Sequence, residues 1–225
     1  STPKDGMRGI SARLETGYRI DLGDGYHERE GAGRWMPSIS AIFWNRRRNS
    51  SETWGQIVCG IPFHQKPTSL LFDYKVKLSG DPNRIKLSGF SKRSEVDGID
   101  MPLVNLFLQK RWEDKDGNIY AKRIGTLVIR MDENTDWVND ASFTILYGDI
   151  TKRSDYEEYM GFQLGESARY SLNSKGKNVP IQEIGWGTED DEVTHMILEF
   201  CSSHGGSYIG SPGNTFWVDN IRLGY

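Results

Sequence analysis

The chain has 225 residues and a formal net charge of -3, so nothing overall draws it to nucleic acid or to an anionic membrane surface. Seven Trp, ten Tyr and nine Phe supply enough apolar surface for a sizeable core, which excludes a disordered chain. No apolar run is long enough to cross a bilayer as a helix.

Strand signals dominate from the first residues onward. The stretch GISARLET alternates Ile10, Ala12 and Leu14 with polar residues, and PSISAIFWN sets Ile39, Ala41 and Phe43 on one side. TSLLFDYKVKL alternates Leu70, Phe72, Tyr74, Val76 and Leu78 against Asp73, Lys75 and Lys77, which predicts a long antiparallel strand with one face buried. MPLVNLFLQKRW and NIYAKRIGTLVIRM flank EDKDG, where Asp116-Gly117 signals a hairpin with a type I′ turn. ASFTILYGDI, EVTHMILEF and TFWVDNIRLGY complete the set. Helix is scarce. KRSDYEEYM predicts two turns, with Ser154 as N-cap and Glu157 three residues later.

The segments 21–34, 46–53, 91–100, 148–180 and 202–214 read as loops. No composition shift divides the chain, so residues 1–225 are expected to form one all-β domain, an antiparallel sandwich of two sheets. In the closing strand, Trp217, Asp219, Ile221 and Leu223 share a parity, which points a carboxylate toward a core. Such a group needs a partner. Backbone amides or an arginine such as Arg222 or Arg13 are the candidates.

The chemistry-bearing motifs are mostly absent. There is no nucleophile elbow, phosphate loop or dinucleotide fingerprint. YHERE lacks the second histidine of a zinc helix, and DKDG has its glycine too early for a calcium loop. His27, His64, His195 and His204 show no ligand spacing. Glu15, Asp73 and Glu199 lie in strands, but nothing pairs two of them as a glycosidase requires. Cys59 and Cys201 sit in apolar stretches and are expected as buried thiols, with a disulfide as the alternative. The opening STPKDG carries no export signal, which leaves a cytoplasmic protein, or an exported one trimmed of its leader.

The tryptophans are the strongest pointer to a ligand. Trp35, Trp44, Trp54, Trp112, Trp137 and Trp186 mostly fall beside loops or at strand ends. Trp112 leads into the EDKDG turn, and Trp186 stands between two glycines in IGWGT. A flat ring with a polar rim matches the apolar face and polar edges of a sugar. Trp112 and Trp186, then Trp54, are therefore the expected ligand-binding residues, and no catalytic residue is assigned.

The ending SSHGGSYIGSPGNTFWVDNIRLGY resembles that of the family called the putative carbohydrate metabolism domain. GIPFHQKPTSLLFDYKVKLSGD is similar to an earlier segment of that family, GISARLET to its opening strand, and RIGTLVIRMDENTDWVNDASFTILY to its middle. The resemblance implies a jelly roll similar to carbohydrate-binding modules. It implies an exported, often lipid-anchored protein of bacterial glycan utilisation, at the cell surface or in the periplasm. A polysaccharide or oligosaccharide partner follows, with a monomer expected. It also gives Asp219 a second reading, as a ligand to a structural Ca²⁺. An all-β glycoside hydrolase or polysaccharide lyase, and an adhesion module that binds protein, are the competing functions.

Overall fold

The computed structural model describes residues 12–15, 20–21, 59–88, 92–205 and 209–225. Fifteen strands follow in chain order. The first six are β1 (Ala12–Glu15), β2 (Ile20–Asp21), β3 (Ile61–Pro62), β4 (Ser69–Lys77), β5 (Asn83–Ser88) and β6 (Lys92–Asp97). Next come β7 (Leu103–Glu113), β8 (Ile119–Arg130), β9 (Val138–Thr144), β10 (Leu146–Tyr147) and β11 (Tyr170–Leu172). The last are β12 (Asn178–Trp186), β13 (His195–Cys201), β14 (Ile209–Gly210) and β15 (Thr215–Gly224).

The architecture is an all-β sandwich. A five-stranded sheet has the order β2-β1-β15-β4-β9, and a seven-stranded sheet the order β11-β12-β8-β7-β13-β3 with β10 beside β8. A small third sheet, β14-β5-β6, accompanies them. The first described strand pairs with the last, Ala12 opposite Val218. Pairing is antiparallel throughout with one departure from expectation: β12 runs parallel to β8, because the 47 residues between Arg130 and Asn178 let the chain return in the same direction.

The core lies between the two large sheets. Leu70, Phe72, Val76, Phe216 and Val218 of the smaller sheet meet Val104, Leu106, Leu108, Met196, Leu198 and Phe200 of the larger. The alternation along β4 behaves as expected, with Leu70, Phe72 and Val76 fully buried. β7 and β13 are instead buried on both faces, since Phe107, Ile197, Ile119, Ala121 and Ile181 form a second apolar cluster. That explains why LVNLFL shows no clean alternation.

The closing strand corrects the parity read from the sequence. Phe216 and Val218 face the core, while Trp217 and Asp219 are only partly buried on the other side. A bulge between Asp219 and Arg222, with Asn220 in the left-handed region at φ 51°, then switches the phase. Ile221 and Leu223 rejoin the core. Asp219 therefore does not point inward. It accepts the N–H of Asn220 at 2.8 Å, and Asn220 Nδ2 donates to Asp73 Oδ2 at 2.7 Å.

Three further expectations are corrected. KRSDYEEYM forms no α-helix but a single 3-10 turn, Glu158–Met160, preceded by Glu157 with no side-chain cap. The segment has no apolar stripe to dock, so local turns and the Arg153–Asp155 pair prevail. The loops read at 91–100 and 148–180 contain β6, β11 and the start of β12. The EDKDG hairpin is present, but only Gly117 has positive φ, at 94°, and Asp116 does not, which excludes type I′. Asp114 Oδ1 instead accepts the N–H groups of Asp116 and Asn118, and Gly117 N–H donates to Asp114 O at 3.1 Å. Among the described residues no helix is long and apolar enough to cross a membrane.

Candidate functional site

The seven-stranded sheet carries the candidate residues on opposite faces. Trp186 stands beside Arg123 in register, and Arg123 beside Gln109. Side chains alternate along β7, so Trp112, three residues on from Gln109, points to the other face. The structure therefore separates the two tryptophans. Trp54, with Trp35 and Trp44, lies outside the described residues.

Trp112 forms a rung with Tyr120. They are directly paired across β7 and β8, with ring centroids 6.0 Å apart and planes 24° from parallel. Trp112 is 40% exposed. Gln182 lies beside Tyr120 on β12, and the next rung along the same face is Lys110 opposite Lys122. Lys110 Nζ is 2.9 Å from Asp191 Oδ1. The amide of Thr188, then Lys110 and last the Thr188 hydroxyl, hold the Asp191 carboxyl down at about 2.

Two turns clamped together brace this end of the sheet. Asn173–Lys177, which joins β11 to β12, repeats the Asp114–Asn118 pattern, with Asn173 Oδ1 accepting the N–H groups of Lys175 and Lys177. Asn173 Nδ2 donates to Gly117 O at 2.9 Å, and Ser174 donates its N–H and hydroxyl to Glu113 at 2.7 and 2.6 Å. A Cβ at Gly117 would stand 2.7 Å from Asn173 Nδ2, so glycine is required there by contact as well as by φ.

The opposite face is covered, and buried polar groups sit among its apolar residues. Glu183, buried in β12, accepts Gln109 Nε2 at 2.6 Å, the N–H of Gln163 at 2.8 Å, and both Nε and Nη2 of Arg123. Arg123 is fully buried with its guanidinium 3.7 Å from the Phe107 ring. Gln109 Oε1 in turn accepts Arg111 Nε at 2.7 Å. A second buried carboxylate, Glu199, accepts Asn105 Nδ2 at 3.0 Å and two bonds from Arg169 at 2.7 Å. Trp186 is half-buried against Phe162, ring centroids 4.6 Å apart. Its flanking glycines offer no cover, and a ring from 24 residues earlier supplies it.

Glu183 and Glu199 are the two buried carboxylates of this face. They bond to Gln109 and Asn105, four residues apart on β7, which is roughly 13 Å of strand. Glycosidases hold their carboxyls about 5–5.5 Å or 6.5–9.5 Å apart. Each glutamate is also clasped by a guanidinium, so its oxygens are already engaged by partners within the protein.

Glu199 reads from sequence as a strand carboxylate with no visible partner, whereas Glu183 and Arg123 were not picked out, although a signal exists. Glu183 shares parity with Ile181, and Arg123 with Ala121 and Ile119, so each is a charge in an otherwise apolar row. Their pairing across 60 residues has no local signature.

His195 lies on this face beside Gln109, with Nδ1 2.9 Å from Thr194 Oγ1. Burial, then Arg111 and His64, pushes its imidazole down to about 4. The folded protein thus keeps His195 neutral where an unfolded chain, titrating at about 6.5, takes up the proton. Stability conferred by this group is present above pH 6.5 and is lost as pH falls toward 4. The melting temperature is expected to drop more steeply through that window in the native protein than in His195→Gln. Parallel curves would refute it.

No disulfide joins Cys59 and Cys201, and both thiols are buried. Burial, followed by Glu199, pushes Cys59 up to about 11 and Cys201 upward as well, so neither is a nucleophile at neutral pH. Asp219 stands opposite Asp73 in register. Among the described residues no three His, Cys, Asp or Glu side chains are gathered to hold a metal ion.

No family model and no curated protein matches the chain. Among solved structures, one from Bacteroides vulgatus, described as a "putative glycoside hydrolase", is similar at 14% identity with a TM-score of 0.37. The likeness covers 73% of this chain and 54% of the other, so the chain spans about half the length of that protein.

Proposed function

We propose that this domain binds carbohydrate without cleaving it, and that the Trp112–Tyr120 rung is the surface on which a sugar ring stacks. The stacked aromatic pair, with Trp112 exposed and Tyr120 half-buried, carries the reading. It sits on paired central strands and above clamped turns, so its rings are held in place before a ligand arrives. Gln182 and the lysine rung supply polar groups at its edge. The spacing and the guanidinium partners of Glu183 and Glu199 favour binding over glycoside hydrolysis. The family resemblance extends the proposal to an exported domain of a bacterial glycan-utilisation system.

A glycan array with the purified domain, followed by calorimetry, tests this. Trp112→Ala is expected to lose about 1–3 kcal/mol of glycan affinity. Its folding stability should stay within about 0.5 kcal/mol of the parent, as for other surface changes. Trp186→Ala should instead lose stability, because Phe162 packs on it. Unchanged affinity in Trp112→Ala would refute the platform. Release of new reducing ends, abolished by one Glu or Asp substitution, would favour the hydrolase.

A further inference from the structure

We infer that the platform selects acidic sugars, those bearing a carboxylate or sulfate, through the ammonium of Lys122. The inference rests on the carbohydrate-binding reading above and adds the ligand class.

The argument begins with a pairing that folding alone does not favour. Lys110 and Lys122 are directly opposite on β7 and β8, and like charges in such a pair are destabilising. Asp191 neutralises Lys110. Lys122 is exposed and makes no ion pair or hydrogen bond with the described residues. One uncompensated cation therefore stands one rung from the aromatic pair, on the same face, about 7 Å along the strand.

That placement matches the geometry of a stacked pyranose. Ring-face stacking on an indole leaves the ring substituents at the edge of the sugar, free to reach groups beside the platform. A carboxylate at C5 or a ring sulfate then extends along the sheet toward the ammonium, and Gln182 is left to meet a hydroxyl. An exposed ion pair of this kind is screened by salt. The signature is thus an affinity that falls with ionic strength for acidic glycans and not for neutral ones.

The test uses the intact domain on an array of uronate-bearing, sulfated and neutral glycans, followed by titration of the best binders at low and high salt. The tightest binders should be acidic. Lys122→Gln should weaken them about fivefold and remove most of their salt dependence, while any neutral-glycan binding falls by less and shows no salt dependence to lose. Lys122→Arg should retain most of the affinity. Neutral glycans binding as tightly as acidic ones, or Lys122→Gln binding as the parent does, would overturn the inference. If Trp112→Ala still weakened neutral glycans in that case, the platform would stand without the selectivity. Binding to no glycan at all would overturn both.

Discussion

Arg123→Ala is expected to cost about 3–5 kcal/mol of folding stability. Arg123 is fully buried, and its guanidinium both clasps Glu183 and lies on the Phe107 ring. Glu183 is only 5% exposed, so removing the arginine leaves a carboxylate in an apolar setting with only Gln109 and a backbone amide to hold it. The loss is dominated by that stranded charge rather than by the value of the pair. The double variant Arg123→Met/Glu183→Gln should therefore recover at least half of it, since no charge is left stranded and the one amide oxygen still accepts from either Gln163 or Gln109. Urea denaturation at pH 7 measures both. A single-variant loss below about 1 kcal/mol would contradict the account.

Phe72→Ala should be comparably damaging, at about 3–5 kcal/mol, for a different reason. Phe72 joins the two large sheets. It stacks on Phe143 with centroids 5.0 Å apart and meets Phe200 of the opposite sheet edge-on at 5.2 Å. It is fully buried, and strands on either side fix its surroundings, so the vacated volume closes poorly. Phe72→Leu, which refills part of the space, should lose well under half as much. Equal losses in the two variants by thermal or urea unfolding would show that ring contacts, not cavity volume, set the cost.

What could be read in advance follows from what each strand faces. β4 was legible because one face meets the core and the other meets water, so the sequence alternates. β7 and β13 were legible as strands but not as doubly buried ones, because an apolar run carries no phase. The β5–β6 hairpin was missed since Arg84, Lys86, Lys92, Arg93 and Glu95 give it no apolar stripe. The β15 bulge was missed because a phase switch at Asn220 leaves the residue types unchanged while reversing which ones face inward. The exposure of Trp112 was legible from its place at a turn, whereas its pairing with Tyr120 depends on hairpin register. The Arg123–Glu183 and Arg169–Glu199 clasps join strands distant in sequence, and no local pattern announces them.

The clamp between the two turns has a bearing on biosynthesis. Asn173 reaches a carbonyl 56 positions earlier in the chain, and the parallel strand it introduces docks on β8 across a similar span. Contacts closing loops of that size form late, after nearer pairings are in place. A nascent chain that has emerged only as far as the β7–β8 hairpin would present Trp112 and Tyr120 on a ribbon with two exposed edges, β8 awaiting β12 and β7 awaiting β13. Until residues 173–186 and then 195–201 follow, those edges are open to pairing with other strands, so the strands that carry the Trp112–Tyr120 rung are also where the growing polypeptide most needs protection from its neighbours.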